Sequence, residues 1–310
     1  MIEARSFTKF LFRGLMAPVL TPYSNDGLFS IQEDIIPKYA KYLSSIGIHA
    51  VLVNGTSGEG MSMTVDERKA VTEAWAMAVK ETKQILMVQV GGACLKDVQE
   101  LAAHAESLGS DALLCLPELF NKPQTVDELV KYLTYVGQAA PKTPLLYYHI
   151  PSYTGIKVSM PQFLAAAAHN IPTFAGAKYT DNNLEEGTQC LAVENGTLSF
   201  FLGCDHVLAG AFTLGFDSAI ATSLNMLPSP SIKILAAVKN NHSSEALQEQ
   251  RKLSKAINVI TRNGGWVSTM KAAMSLMTPI NVGPPRPPLT PLIDKQIDQL
   301  KKDLTALQLL

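Results

Sequence analysis

The chain has 310 residues, of which 47% are hydrophobic and 17% charged, and 26 basic side chains against 27 acidic ones give a formal net charge of −1. That apolar share excludes a disordered chain, the balanced charge leaves no basic excess to neutralise a nucleic-acid backbone, and no apolar run reaches the roughly 18 residues of a membrane span. The length suits one large α/β barrel of about 250 residues with additions, against two ordinary domains as the competing organisation.

The first residues place Arg5, Lys9 and Arg13 among Phe7, Phe10 and Phe12. With Glu3 present and no apolar signal core, they read as a leading arm rather than a targeting segment. Cys94, Cys115, Cys190 and Cys204 include no Cys-x-x-Cys pair and read as buried, reduced thiols. Such thiols fit a reducing, cytoplasmic compartment.

Short apolar, β-rich runs then alternate with amphipathic stretches. Leu15–Leu20 is an apolar run closed by Thr21-Pro22, and Ile31–Ser45 a helix ended by Gly47. Ala50–Val53 is a strand. Thr64 and Glu67 have capping-box spacing and open a helix to about Glu81. Strands at Ile85–Val90, Ala112–Leu116 and Leu145–His149 alternate with helices at Leu95–Leu108, Thr125–Ala139 and Pro161–His169. Phe174–Lys178 is a strand and Asn183–Glu194 a helix. Leu198–Leu202, Val207–Leu214 and Ser218–Thr222 complete eight strand–helix steps. Such alternation means parallel strands under crossover helices, and eight steps predict a closed (β/α)8 TIM barrel with additional C-terminal helices. The expected organisation is a barrel over residues 14–224 and a helical extension over residues 225–310, interrupted by the proline-rich stretch from Gly283 to Pro288.

Barrel active sites lie at the C-terminal ends of the strands, so polar residues just after each run are the candidates. Lys178 ends the sixth run, Phe174–Ala177, which is apolar and small. A desolvated amine there has a lowered pKa and is a nucleophile able to form an imine with a ketone. The competing reading is a strand-end lysine snorkelling to solvent. Gly55-Thr56-Ser57-Gly58 offers amides and hydroxyls to an anion such as a carboxylate, or merely turns the chain. Tyr148 either relays protons or fills the core with an amphipathic ring. Gly203, Asp205 and His206 follow the seventh run and Thr222 closes the eighth. The six histidines show no metal-ligand spacing, so no metal site is expected. A Gly-x-Ser-x-Gly elbow, a P-loop and a Gly-x-Gly-x-x-Gly fingerprint are all absent from the sequence.

Three stretches in order carry a resemblance: Gly55-Thr56-Ser57-Gly58-Glu59, Tyr148-His149-Ile150-Pro151-Ser152-Tyr153-Thr154-Gly155 and Gly176-Ala177-Lys178-Tyr179-Thr180. Together they resemble the N-acetylneuraminate lyase/dihydrodipicolinate synthase family, over roughly Gly14 to Pro288. Within it, Val53-Asn54-Gly55-Thr56, Tyr147–Pro151 and Gly283-Pro284-Pro285-Arg286 are similar to the animal-type lyases, and Tyr153 stands where the synthases usually carry an arginine.

The resemblance implies a homotetrameric class I aldolase that cleaves N-acetylneuraminate reversibly to N-acetylmannosamine and pyruvate, with no metal or organic cofactor. Lys178 would form the imine, and Tyr148 would shuttle the proton. Thr56 and Ser57 would hold the carboxylate, and Thr180 would bond the hydroxyl on the carbon whose bond breaks. Gly203, Asp205, His206 and Thr222 would line the polyhydroxyl tail. His206 replaces a glutamate common in the lyases, and Phe120 is the nearest aromatic where many members carry a tyrosine. The alternatives are an aldolase for a different 2-keto-3-deoxy sugar acid and a non-catalytic sugar-acid binding protein.

Overall fold

Largely apolar runs of three to six residues become strands: β1 (Leu15–Pro18), β2 (Ala50–Val53), β3 (Ile85–Gln89), β4 (Ala112–Cys115), β5 (Leu145–His149), β6 (Phe174–Tyr179), β7 (Ser199–Leu202) and β8 (Ser218–Ile220). The computed structural model describes residues 9–310, so Arg5 and Phe7 of the leading arm lie outside the described residues. The strands follow one another in chain order around a closed barrel, with parallel pairing such as β4–β5, β5–β6 and β6–β7. Every residue of β2, β4, β5, β6 and β7 is buried. That is why these runs are continuously apolar instead of alternating: helices cover one face and packed side chains fill the other.

The chain groups into two compact units. One takes the described residues up to Gly14, Ile85–Cys204 and Gly210–Ile220, and so holds β3 to β8. In it Phe10 and Phe12 of the arm pack on Phe201, at ring-centroid distances of 6.1 and 6.3 Å. Arg13 pairs with Asp217 at 3.2 Å. The other unit takes Leu15–Gln84, Asp205–Ala209 and Ala221–Leu310. It holds β1, β2 and the helices Pro228–Lys239, Ser243–Thr261, Trp266–Met277 and Asp294–Ala306. No helix among the described residues is long and apolar enough to cross a membrane.

Local chemistry sets the element ends. Thr64 and Glu67 form the expected capping box for the helix Val65–Thr82, and Thr125 with Glu128 forms a second for Val126–Ala139. Each cap side chain is worth about 1 kcal/mol over alanine. The helix expected over Ile31–Ser45 starts only at Ile36, behind a 3-10 turn at Glu33–Ile35. Pro37 is the reason: with no N–H to donate to an earlier turn, proline fits only the first turn of an α-helix. The helix expected over Asn183–Glu194 stops at Ala192, because Glu194 and Asn195 are left-handed at φ of 52° and 55°. Pro151 opens a single turn, Pro151–Thr154, rather than simply ending β5. β8 is shorter than expected, and Thr222 begins the 3-10 turn Thr222–Asn225. All four cysteines are free, but Cys94 is exposed and Cys204 half-buried, which corrects the expectation that all are buried.

Candidate active site

Lys178 and Tyr148 are register partners on the adjacent parallel strands β6 and β5. The register slips by one residue between Leu145 and Leu146, opposite the Phe174–Gly176 step. Gly176 takes φ +146°, and a Cβ there would lie 2.7 Å from the Ser199 carbonyl carbon and 2.8 Å from its amide nitrogen. The glycine two residues before the lysine is therefore what lets β6 lie this close to β7. Lys178 is 5% exposed and Tyr148 2%. The lysine Nζ donates to the Tyr148 hydroxyl at 3.1 Å and lies 4.3 Å from the ring centroid. The amine does not snorkel to solvent; it is buried against a phenol. A nucleophile within hydrogen-bond reach of a group that can carry its proton is the arrangement covalent catalysis requires.

Thr180 follows β6 and its amide donates to the His149 carbonyl at 2.8 Å. Its hydroxyl is buried without a hydrogen-bond partner. A native fold rarely leaves such an oxygen unsatisfied unless something else is to bond it. Gly203 donates its amide to the Tyr179 carbonyl at 2.7 Å. Any side chain at Gly203 would collide with the Thr180 hydroxyl, since a Cβ would fall 2.8 Å from Thr180 Cβ. His149 lies inside the Tyr148–Gly155 stretch. It is buried, stacks on Tyr179 at 5.2 Å, and places Nε2 3.9 Å from Asp181. Desolvation holds its pKa below the usual 6.5, against the opposing pull of Glu186 and Asp181.

In the other unit, the loop after β2 carries Thr56 and Ser57. Ser57 and Thr222 are both 5% exposed, and their hydroxyl oxygens share a 2.7 Å hydrogen bond. The Trp266 indole N–H donates to Thr222 Oγ1 at 3.3 Å. Asp205 is buried, and its Oδ1 accepts from the Ser223 amide at 3.3 Å and from the Ser223 hydroxyl. Burial raises its pKa while those bonds lower it. One Asp205 oxygen is thus committed to holding the Thr222–Asn225 turn. His206 is exposed.

The structure thus brings together Lys178 with Tyr148, Thr180 with Gly203, and Ser57 with Thr222. Sequence reasoning missed Trp266 and Ser223, which carry no motif; a tryptophan at a helix start is the only signal Trp266 offered.

Residues 11–307 match the dihydrodipicolinate synthetase family. The chain belongs to that family. Among relatives of this dihydrodipicolinate synthetase family chain is an N-acetylneuraminate lyase of Pongo abelii, 35% identical over 307 residues, covering 98% of this chain and 95% of its own length. The solved Proteus mirabilis N-acetylneuraminate lyase superposes with a TM-score of 0.91 at 31% identity, covering 96% of this chain and 99% of that one. The Aliivibrio salmonicida N-acetylneuraminate lyase (sialic acid aldolase) gives the same TM-score of 0.91 at 31% identity, over 96% and 98% of the two chains. The resemblance drawn from three strand-end motifs is upheld over nearly the whole chain.

Proposed function

We propose that this chain is a class I aldolase that cleaves N-acetylneuraminate reversibly to N-acetylmannosamine and pyruvate. The observation that carries the reading is the buried Lys178 amine, 3.1 Å from the Tyr148 hydroxyl. The amine nitrogen attacks the keto carbon of the open-chain sugar acid, and loss of water leaves a protonated imine. The imine accepts the electron pair of the adjacent C–C bond as that bond breaks. The hydroxyl on the departing carbon gives up its proton through Tyr148, and the sugar leaves as an aldehyde. The remaining enamine takes a proton on carbon, and water hydrolyses the imine, releasing pyruvate and free Lys178. The lysine itself supplies the electron sink, so the scheme calls on no metal or organic cofactor.

Thr56 and Ser57 hold the substrate carboxylate in this scheme. Thr180, with its hydroxyl unpartnered, bonds the hydroxyl at the cleaved bond. Gly203, Asp205, His206 and Thr222 face the tail. A homotetramer and a cytoplasmic location belong to the same proposal, supported by family likeness and by the four free thiols. The exposed His206, in place of the lyases' usual glutamate, supports as a second reading an aldolase for a different 2-keto-3-deoxy sugar acid.

Borohydride reduction in the presence of pyruvate, followed by peptide mass mapping, tests the chemistry. A pyruvyl adduct on Lys178, absent from Lys178→Ala, is expected. A folded protein that forms no adduct would leave the non-catalytic binding protein as the better reading. Condensation of pyruvate with N-acetylmannosamine, compared with other aldehydes, then settles the sugar.

A further inference from the structure

Glu59 closes the loop that carries Thr56 and Ser57. Its backbone is left-handed at φ +55°, an uncommon conformation for a residue with a side chain. Its amide donates to the Thr56 carbonyl at 3.1 Å, which closes the turn. One carboxylate oxygen lies 2.6 Å from Lys271 Nζ, and both side chains are 1% exposed. The other oxygen accepts the Arg286 amide at 2.7 Å. Lys271 also donates to the Pro284 carbonyl at 2.9 Å and lies 4.2 Å from the Tyr23 ring centroid. Arg286 approaches the same ring at 4.5 Å and forks onto Glu67 at 2.7 and 2.8 Å.

A buried ion pair is a poor source of stability, because desolvation offsets most of the attraction and apolar residues of equal volume do as well. What a directed pair does, and an apolar contact does not, is fix the position of the backbone that bears it. Here that backbone is the Thr56–Ser57 loop. The helix Trp266–Met277 grips this loop twice. Lys271 holds Glu59 at one end, and Trp266 holds Ser57 through Thr222 at the other.

We propose that Lys271 and Glu59 are positioning residues that keep the Thr56–Ser57 loop in its carboxylate-accepting geometry. Losing the pair weakens keto-acid binding and spares imine chemistry on Lys178. The inference rests on the reading of Thr56 and Ser57 given under the proposed function. The charged and titratable groups facing Lys271 are Glu59, Arg286 and Tyr23, with Glu67 behind Arg286 and Asp294 lining the same cavity. Burial draws the Lys271 pKa down to about 8 against the pull of Glu59. Tyr23 and Arg286 are held above their ordinary values, and Glu67 below its own. Lys271 is therefore the member that loses charge as pH rises through about 8.

The full chain, Lys271→Met and Lys271→Arg are compared from about pH 7 to about pH 9.5. Two quantities are read: the pyruvate concentration that half-saturates borohydride trapping on Lys178, and the KM and kcat for N-acetylneuraminate. In Lys271→Met, half-saturation and KM should rise on the order of 10- to 100-fold, as a small misplacement of a binding group costs. Trapping at saturating pyruvate should persist, with kcat changed far less than KM. In the wild type KM should climb above about pH 8, where Lys271 discharges. Lys271→Arg, always charged, should bind like the wild type at neutral pH and lack that climb. If Lys271→Met does not fold, Glu59→Gln, whose amide oxygen can still accept the Arg286 N–H, takes its place in the same two measurements. Unchanged half-saturation in a folded Lys271→Met, or in a folded Glu59→Gln, would overturn the proposal. Absence of any adduct in the wild type would instead overturn the aldolase reading, and this inference with it.

Discussion

Replacing Gly203 by alanine tests the Thr180 hydroxyl without substituting Thr180. A Cβ at Gly203 would collide with Thr180 Oγ1 and lie 2.8 Å from Thr180 Cβ and 3.0 Å from its Cα. Rotating the threonine side chain relieves the first clash but neither of the other two. Ordinary Cβ contacts begin at 3.4 Å, so the backbone at Thr180 must retreat by about 0.4–0.6 Å to restore one. Overpacking of this size costs about 1–3 kcal/mol, a fall of roughly 1.5–5 °C in melting temperature for a chain this long. The displaced hydroxyl no longer meets the substrate hydroxyl at the bond that breaks. That should lower kcat/KM for N-acetylneuraminate on the order of 10- to 100-fold. Pyruvate has no such hydroxyl, so its trapping on Lys178 should change by no more than about twofold. Steady-state kinetics, trapping and thermal melting are run on the same preparation. Wild-type kcat/KM in the variant would show that Thr180 does not act where proposed. An equal loss of trapping and turnover would show that the disturbance reaches Lys178 itself and is not specific to Thr180.

Tyr148→Phe removes the acceptor of the Lys178 hydrogen bond and should slow cleavage on the order of 10²- to 10⁴-fold. Pyruvate trapping should remain detectable, and unchanged turnover would refute the proton relay. His149 folds as a neutral ring, because desolvation holds its pKa below 6.5. Below about pH 6.5 the unfolded chain therefore takes up a proton that the native ring refuses, so stability should fall as pH drops from there toward the native pKa. Urea midpoints between about pH 7 and pH 5 would show this as a slope that flattens in His149→Gln. A slope of equal size in that variant would place the titrating group elsewhere.

Much of the barrel was legible because it is written in local chemistry. β2 and β5 are short apolar runs with polar or turn residues after them, and Thr64 with Glu67 announces a helix start by spacing alone. Boundaries failed where one backbone preference overrode periodicity, as at Pro37 and at the left-handed Glu194 and Asn195. Lys178, Tyr148 and Thr180 were readable as strand-end residues, yet spacing left the lysine undecided between the site and solvent. The 3.1 Å contact with Tyr148 excludes the solvent-facing reading, and it depends on the register of β5 against β6.

By itself, then, the sequence determined the order of strands and helices, the strand ends at which polar side chains gather, and the family. Each of these depends on residues near one another in the chain. Only the tertiary structure decided what the long-range partners are. Glu59 meets Lys271 and Arg286, Thr222 meets Ser57 and Trp266, and Asp205 is drawn onto Ser223. These contacts join residues far apart in sequence through groups with no periodicity to announce them. Their geometry exists only once the folded backbone has removed water from between them.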